Sequence, residues 1–502
     1  MRTFILTVLL CWGAGVAAQP VLTGEHWATE RIDNHLSRSV QNGFSGAIIV
    51  VNEDRILLKK GYGQAEHNTS SPITTATLFD IGSVTKQFTA ALIIKLQSAG
   101  KLSVQDTLAR YFPKVPADKQ GITLHQLLTH TSGLPGGIGL DDFELVSTQD
   151  FFNQLFSTDL LYAPGEQFHY SNVGYSVLAR VAELASGQPF ETALRHHLLD
   201  PAGMQHTGYL QLNTHQQQVA PGYKAGVLRT LPNLVRYRQH GEISWALKGN
   251  GGLISSVDDM YLWFQALQQQ NIISASQWAQ LSHPHVLANA KFKEHYGYGW
   301  SLFPAPGGGR LITHNGSDGV FYFDFRWQPE QQQVIIFASN ALMRPTPAVS
   351  EDIELMLADD TYNPPEFAPG PVTQVLRFAL NFRQSEAALQ QALTKNFADA
   401  ITERVVLNRA GLALLEAGYH QKAIALLQLN TQHFPDDGNL WDSLGEAQLT
   451  SNQLQAAKQS FARALALAPD KHCYWCANAR QKLEQIKLRQ KAAISVSSVS
   501  AG

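Results

Sequence analysis

Charge is scarce in this chain and nearly balanced. Asp, Glu, Lys and Arg make up 16% of its 502 residues and sum to a formal net charge of −3. A field that weak excludes a polybasic surface for nucleic acid or for an anionic membrane. Long apolar runs are missing as well. Beyond the N-terminus no stretch reaches the ~18 consecutive apolar residues a membrane-spanning helix needs, so no integral membrane protein is expected. Cysteine is rarest: there are three, Cys11, Cys473 and Cys476. Only His472 stands beside the last two and no second ligand pair is visible, which argues against structural zinc. Cys473 and Cys476 then read either as a short-loop disulfide of an exported protein or as two helix-borne thiols without chemical consequence.

What the chain has in quantity is apolar side chain, 44% of all residues, a globular composition rather than a disordered one. Its length predicts at least two domains, because a single hydrophobic core stops growing well short of it. At the start, Arg2 is positive, residues 4–12 are apolar but too few to span a bilayer, and Val16, Ala17 and Ala18 are small. This pattern predicts a signal peptide over residues 1–18, cleaved near Ala18, and export to the periplasm or the medium. Cys11 as a lipid-modified residue fits poorly behind the bulky Leu10.

Residues 46–51 and 56–61 read as two antiparallel strands around Asn52-Glu53-Asp54, and residues 84–99 as a helix stopped by Gly100. A helical, loop-rich middle follows, and strand character returns over 311–314, 320–327 and 333–338. Strands at both ends with helices between predict an α+β domain over 25–345 whose terminal strands share one antiparallel sheet. Residues 346–400 read as a linker and helical segment. Over 401–485 a period appears: Gly411, Ala423 and Pro435 recur 34 residues later as Gly445, Ala457 and Pro469. Trp441, Leu444, Gly445, Ala457, Phe461, Ala464 and Pro469 resemble the tetratricopeptide pattern, although Gln448 stands where an aromatic is usual; a plain pair of helical hairpins is the alternative. Two such units are marginal alone, so added helices at both ends, one of them holding the cysteine pair, or docking on the first domain are expected.

Acyl transfer needs a nucleophile, a base and donors for an oxyanion. Ser83-Val84-Thr85-Lys86 puts a hydroxyl and an amine one helical turn apart on one face, and desolvation would free the amine to act as base. Ser98-Ala99-Gly100-Lys101 has the same spacing at a helix end, so the tetrad alone decides nothing. Tyr170-Ser171-Asn172 offers a phenol to move protons and an amide to orient a carbonyl, or simply a helix cap. His314-Asn315-Gly316-Ser317 ends a strand. Gly316 there would let a ligand approach the backbone, and the Ser317 amide could join that of Ser83 as an oxyanion hole. His206-Thr207-Gly208 is a second His-x-Gly, but it lacks strand character.

Together with 127–135 (LLTHTSGLP), Gly251-Gly252-Leu253 and Tyr296-Gly297-Tyr298-Gly299-Trp300, these motifs resemble the serine β-lactamase-like and penicillin-binding-protein-like hydrolases, the class C β-lactamase-related group, over roughly residues 25–345. The resemblance implies a five-stranded antiparallel sheet beside a helical lobe, with the site between them. It also implies Ser83 as nucleophile, Lys86 as its partner, Tyr170 as proton shuttle and Asn172 as substrate-orienting amide. His314 stands where many relatives carry Lys, which weakens the β-lactamase reading. An exported serine hydrolase is expected, with a Ser83 acyl-enzyme, no cofactor and a small-molecule or peptide substrate. Esterase or D-amino-acid peptidase/amidase activity ranks ahead of β-lactamase or D-Ala-D-Ala carboxypeptidase activity. The rival from another class is an interaction scaffold whose helical repeats hold a protein or peptide partner.

Overall fold

The protein is described from a computed structural model covering residues 24–499, apart from 67–70, 143, 213–217, 306–307, 469–472 and 474. The expected signal peptide, Pro469 and His472 lie outside the described residues. One antiparallel sheet organises the first domain: β1 (Gly46–Asn52), β2 (Arg55–Tyr62), β3 (Val286–Asn289), β4 (Glu294–Tyr296), β5 (Ser301–Pro304), β6 (Arg310–Ser317), β7 (Tyr322–Gln328) and β8 (Gln333–Ser339). Its spatial order is β2-β1-β8-β7-β6-β5-β4-β3, so the first and last strands of the domain are neighbours, second and third from one edge. The sheet thus has eight strands where five were expected. The extra three are only three or four residues long, too short for a period-2 signal.

Both faces of the sheet are covered, which is why β1 reads as a continuous apolar run. Ala47, Ile49 and Val51 face one core with Ile312, Phe323, Phe325 and Ile336. Ile48 and Val50 face a second core with Ile335 and Phe337, closed by Ile32 and Leu36 of α1 (Gly24–Ser39) and by Val349, Ile353 and Met356. The β1–β2 turn is a type I′ hairpin, with Glu53 and Asp54 both at positive φ, the twist that fits paired strands. Behind the first face lies α2 (Thr85–Ser98), buried on nearly all sides, so that its apolar residues are not confined to one stripe. Against it packs α3 (Asn172–Ser186), with Trp263 of α4 (Val257–Gln269) tilted against Phe88, ring centroids 4.8 Å apart.

The stretch 346–400 divides between two cores. Helix α5 (Val349–Ala358) belongs to the outer face of the sheet, whereas α6 (Pro371–Asn381) and α7 (Glu386–Asn396) begin an all-helical region. Two helical hairpins follow, α8 (Arg404–Glu416) with α9 (His420–His433), then α10 (Gly438–Thr450) with α11 (Leu454–Ala466). The 34-residue period has a steric cause: a Cβ on Gly411 would meet Leu427 Cγ at 2.6 Å, and one on Gly445 would meet Phe461 Cδ1 at 2.8 Å. The last helix, α12 (Cys476–Val499), opens on a Cys473–Cys476 disulfide and is tied to α10 by Asn478 Nδ2 donating to Asp442 Oδ2 at 2.9 Å. The region also docks on the first domain. Leu228 enters its apolar core, Thr373 Oγ1 donates to Ala225 O at 2.8 Å, and Lys224 pairs with Glu416.

Candidate active site

Ser83 sits on the 3₁₀ turn Gly82–Val84 that leads into α2. A short ladder, Phe79–Asp80 against Ile254–Ser255, holds the approach to that turn. Gly82 takes φ +50 there, and a Cβ on it would lie 2.6 Å from Ser317 N. One turn into the helix, Lys86 is wholly buried. Its Nζ lies 3.0 Å from Ser83 Oγ, 2.8 Å from Asn172 Oδ1 and 2.7 Å from the carbonyl oxygen of Asn250. Burial holds the Lys86 amine well below the usual ammonium range, with Asp142 pulling weakly the other way.

Tyr170 precedes α3, whose N-cap is Ser171: its Oγ accepts the Gly174 amide at 3.2 Å. The helix-cap reading and the proton-moving reading of this triplet therefore belong to adjacent residues. Lys86 Nζ is 4.8 Å from the Tyr170 ring centre, and the phenol is hydrogen-bonded to Ser83. Burial pushes Tyr170 above the ordinary phenol range, so it stays protonated at neutral pH.

Across the cleft runs β6. It pairs with β5 only over Arg310–Thr313, while His314–Ser317 pair with β7 alone, leaving their other edge unpaired by strand. Gly316 is required there: a Cβ would meet Ile81 O at 2.0 Å and Ser83 N at 2.6 Å. The Ser317 and Ser83 amides thus belong to two backbones packed directly on each other. Asp318 Oδ1 secures the next turn by accepting the amides of Val320 at 2.9 Å and Phe321 at 2.8 Å. Those bonds keep residues 320 and 321 out of β7, where the sequence pattern had put them.

His314 is neutral. Its Nδ1 donates to Asn315 O at 2.7 Å, leaving Nε2 to accept the Tyr296 hydroxyl at 3.0 Å. Burial first, and Lys86 second, lower its pKa to about 3. These groups line a cavity of about 470 Å³ that also contains Phe168, Glu294 and Arg326. The Arg326 charge is already met by Glu354, with Nε–Oε1 at 2.9 Å and Nη2–Oε2 at 2.5 Å. On the other side Asn172 borders a cavity of about 380 Å³ containing Asp141 and Asp142. Burial raises the Asp142 carboxyl to about 6.

Ser83, Lys86, Tyr170 and Asn172 therefore converge, with His314, Gly316 and Ser317 opposite them. The decoys do not join. Ser98 Oγ donates to Ile94 O at 3.0 Å in the last turn of α2, and Lys101 is exposed. In the second His-x-Gly, Asp259 Oδ2 accepts the His206 amide at 2.9 Å and the Thr207 hydroxyl at 2.8 Å, an anchoring role. Sequence reasoning missed the Asn250 carbonyl, because a backbone acceptor has no residue signature. It quoted Tyr296 and His130 within longer motifs without a role for either.

A family model described as Beta-lactamase matches residues 32–359. Penicillin-binding protein 4* of Bacillus subtilis (strain 168) is 29% identical over 389 residues, 74% of this chain and 85% of that protein. The putative penicillin-binding protein PbpX of the same organism is 30% identical over 312 residues, 62% of this chain and 73% of that one. Among solved structures, a penicillin-binding protein from Bacillus halodurans superimposes with a TM-score of 0.55 at 26% identity, covering 65% of this chain and 99% of that chain. An octameric penicillin-binding protein homologue from Pyrococcus abyssi has the same fold, with a TM-score of 0.57 at 24% identity over 71% of this chain and 82% of that chain. A core closed by the chain's first and last strands, with a Ser-x-x-Lys turn at its edge, thus carries the same assignment by sequence and by fold: the chain belongs to the Beta-lactamase family of penicillin-binding-protein-like serine hydrolases.

Proposed function

We propose that the protein hydrolyses an ester or a D-amino-acid amide or peptide bond through an acyl-enzyme on Ser83. The observation that carries this reading is the set of three partners around Lys86 Nζ. Asn172 Oδ1 and Asn250 O can only accept, so a neutral amine spends its two N–H donors on them and turns its lone pair to the third partner. That partner is Ser83 Oγ, a hydroxyl able to donate. Burial favours this neutral form. Ser83 Oγ then attacks the carbonyl carbon as its proton passes to Lys86 Nζ, and the amides of Ser83 and Ser317 hold the oxyanion. Collapse breaks the bond to the leaving alcohol or amine, which takes a proton relayed through the Tyr170 hydroxyl from Lys86. Water reverses the sequence to release the acid and restore Ser83.

Charge in the cleft supports the choice of substrate. A carboxylate-bearing β-lactam gains from a fixed cation, but His314 is neutral and the Arg326 guanidinium is already paired. The flanking Asp141 and Asp142 favour a neutral or amine-bearing molecule. The signal-peptide pattern supports an exported location, and the 34-residue period supports a tetratricopeptide-like region able to hold a peptide. The test is fluorophosphonate labelling with peptide mapping, followed by turnover of a short-chain p-nitrophenyl ester, a D-amino-acid p-nitroanilide and nitrocefin. An adduct on Ser83 with ester or D-amide turnover above nitrocefin turnover is expected. An adduct on another residue, or full turnover in Ser83→Ala, would sink the reading.

A further inference from the structure

His130 is not among the residues assigned a role above, yet it is wholly enclosed in the site, with 1% of its surface exposed. It occupies an expensive place. Its backbone takes φ +58, a left-handed conformation that is unfavourable for a non-glycine residue. Its Nδ1 accepts the Ser171 amide at 3.0 Å, so the neutral ring carries its proton on Nε2. That Nε2 is buried without a hydrogen-bond partner among the described residues. A phenyl ring would fill the same space without the Nε2 orphan but would strip the Ser171 amide of its acceptor, so packing alone does not explain an imidazole.

What His130 gains for these two costs falls on one neighbour. Its carbonyl oxygen accepts the His169 amide at 2.8 Å and its Nδ1 accepts the Ser171 amide, so the peptide is gripped immediately before and immediately after Tyr170. Between those two bonds the imidazole lies against the Tyr170 ring, centroids 4.3 Å apart with an interplanar angle of 34°. The imidazole also touches Tyr296 at 4.7 Å and Tyr175 at 5.0 Å. Tyr296 holds His314, and Tyr175 is anchored by donating to Leu128 O at 2.9 Å. The imidazole is therefore packed among three tyrosine rings, two of them tied to the framework and the third the Tyr170 phenol. Strain of this kind persists where the surrounding structure over-determines it, and a functional site is where it is used.

We propose that His130 is a positioning residue for Tyr170: by clamping the amides on both sides of it and backing its ring, it holds the phenol on Ser83 in the orientation that proton relay requires. The proposal rests on the reading of Ser83 as nucleophile and Tyr170 as relay. It predicts that the left-handed backbone and the Nδ1 acceptor are the needed properties. Asn supplies both, since it tolerates positive φ and its Oδ1 can accept the Ser171 amide, whereas Gly supplies the backbone alone.

The test measures the second-order rate of fluorophosphonate labelling, and kcat and KM for p-nitrophenyl butyrate, in His130→Gly and His130→Asn, each alone and in a Tyr170→Phe background. Thermal midpoints are recorded alongside. In the wild-type background Gly is expected to lose about 100-fold in labelling and in kcat, with KM changed by less than about 3-fold, and Asn to recover to within about 10-fold of wild type. In Tyr170→Phe the Gly substitution is expected to cost less than about 2-fold, because the group it positions is gone. Equal losses in Gly and Asn that track the thermal midpoint, or a full loss repeated in Tyr170→Phe, would overturn the positioning role. Ser83→Ala is carried through the same assay: labelling that persists there overturns the nucleophile assignment itself, whatever the His130 variants do.

Discussion

Lys86 and His314 are both buried bases held neutral, and each makes its own prediction. In the proposed mechanism the working form of Lys86 is the free amine, so Ser83 reactivity should rise with pH and level off once the amine is deprotonated. Because burial depresses that pKa, the plateau should arrive well below the ~10.4 of an ordinary ammonium. A fluorophosphonate rate still climbing tenfold per unit near pH 10 would refute the lysine base. For His314 the prediction concerns stability. Above about pH 6.5 neither the folded nor the unfolded chain binds a proton at this ring. As pH falls from there towards about 3, the unfolded chain takes one up and the folded chain does not, so stability is lost across that window. The loss approaches on the order of 1 kcal/mol per pH unit. Urea unfolding at pH 7 and pH 5 should therefore show a smaller acid loss in His314→Asn than in wild type. Asp142 and Asp324, whose raised carboxyls act in the opposite sense, are common to both proteins.

At the scale of elements, the site is an encounter between the turn before α2 and an edge of β6, and glycine makes it close. Gly316→Ala puts a methyl group into Ile81 O and Ser83 N. The chain can absorb that only by separating the two backbones, at about 1–3 kcal/mol. If the Ser83 and Ser317 amides hold the oxyanion as proposed, separation displaces one donor, and labelling of Ser83 should slow by at least about 100-fold while the domain still folds. An unchanged labelling rate together with an unchanged thermal midpoint would show that the two strands of backbone do not act as a pair. Much of this was legible beforehand. The motif around Ser83, the strand ending at Ser317 and the helix cap at Ser171 each have a local signature in spacing and residue type. The open edge of β6 does not, because pairing on one side and not the other depends on where β5 stops.

The whole molecule is a sheet-centred domain carrying a helical region, and the two are joined through a hairpin. Gly222–Lys224 pairs with Leu228–Thr230, and Leu228 is embedded in the core of α6–α9. Leu228→Ala should cost about 2–3 kcal/mol of that junction. In calorimetry the helical region should then melt earlier and apart from the sheet domain. Ser83 labelling at 25 °C should stay within about 2-fold of wild type, because no residue of the hairpin lines the cavity at Ser83. Coincident melting in both proteins would show that Leu228 does not couple the two regions.

Sequence alone determined what is local. The Ser-x-x-Lys turn and the Tyr-Ser-Asn cap are set by contacts within one or two turns of chain, the strand character of residues 46–51, 56–61, 311–314 and 333–338 is carried by their apolar side chains, and the 34-residue period is legible as a recurrence of small residues. Only the tertiary structure decided which Ser-x-x-Lys faces a cleft. It also decided that the Asn250 carbonyl completes the set around Lys86 and that His314 is neutral. The reason is the same in each case: protonation, accessibility and the pairing of an edge depend on groups brought together from distant parts of the chain, and desolvation exists only once they have met.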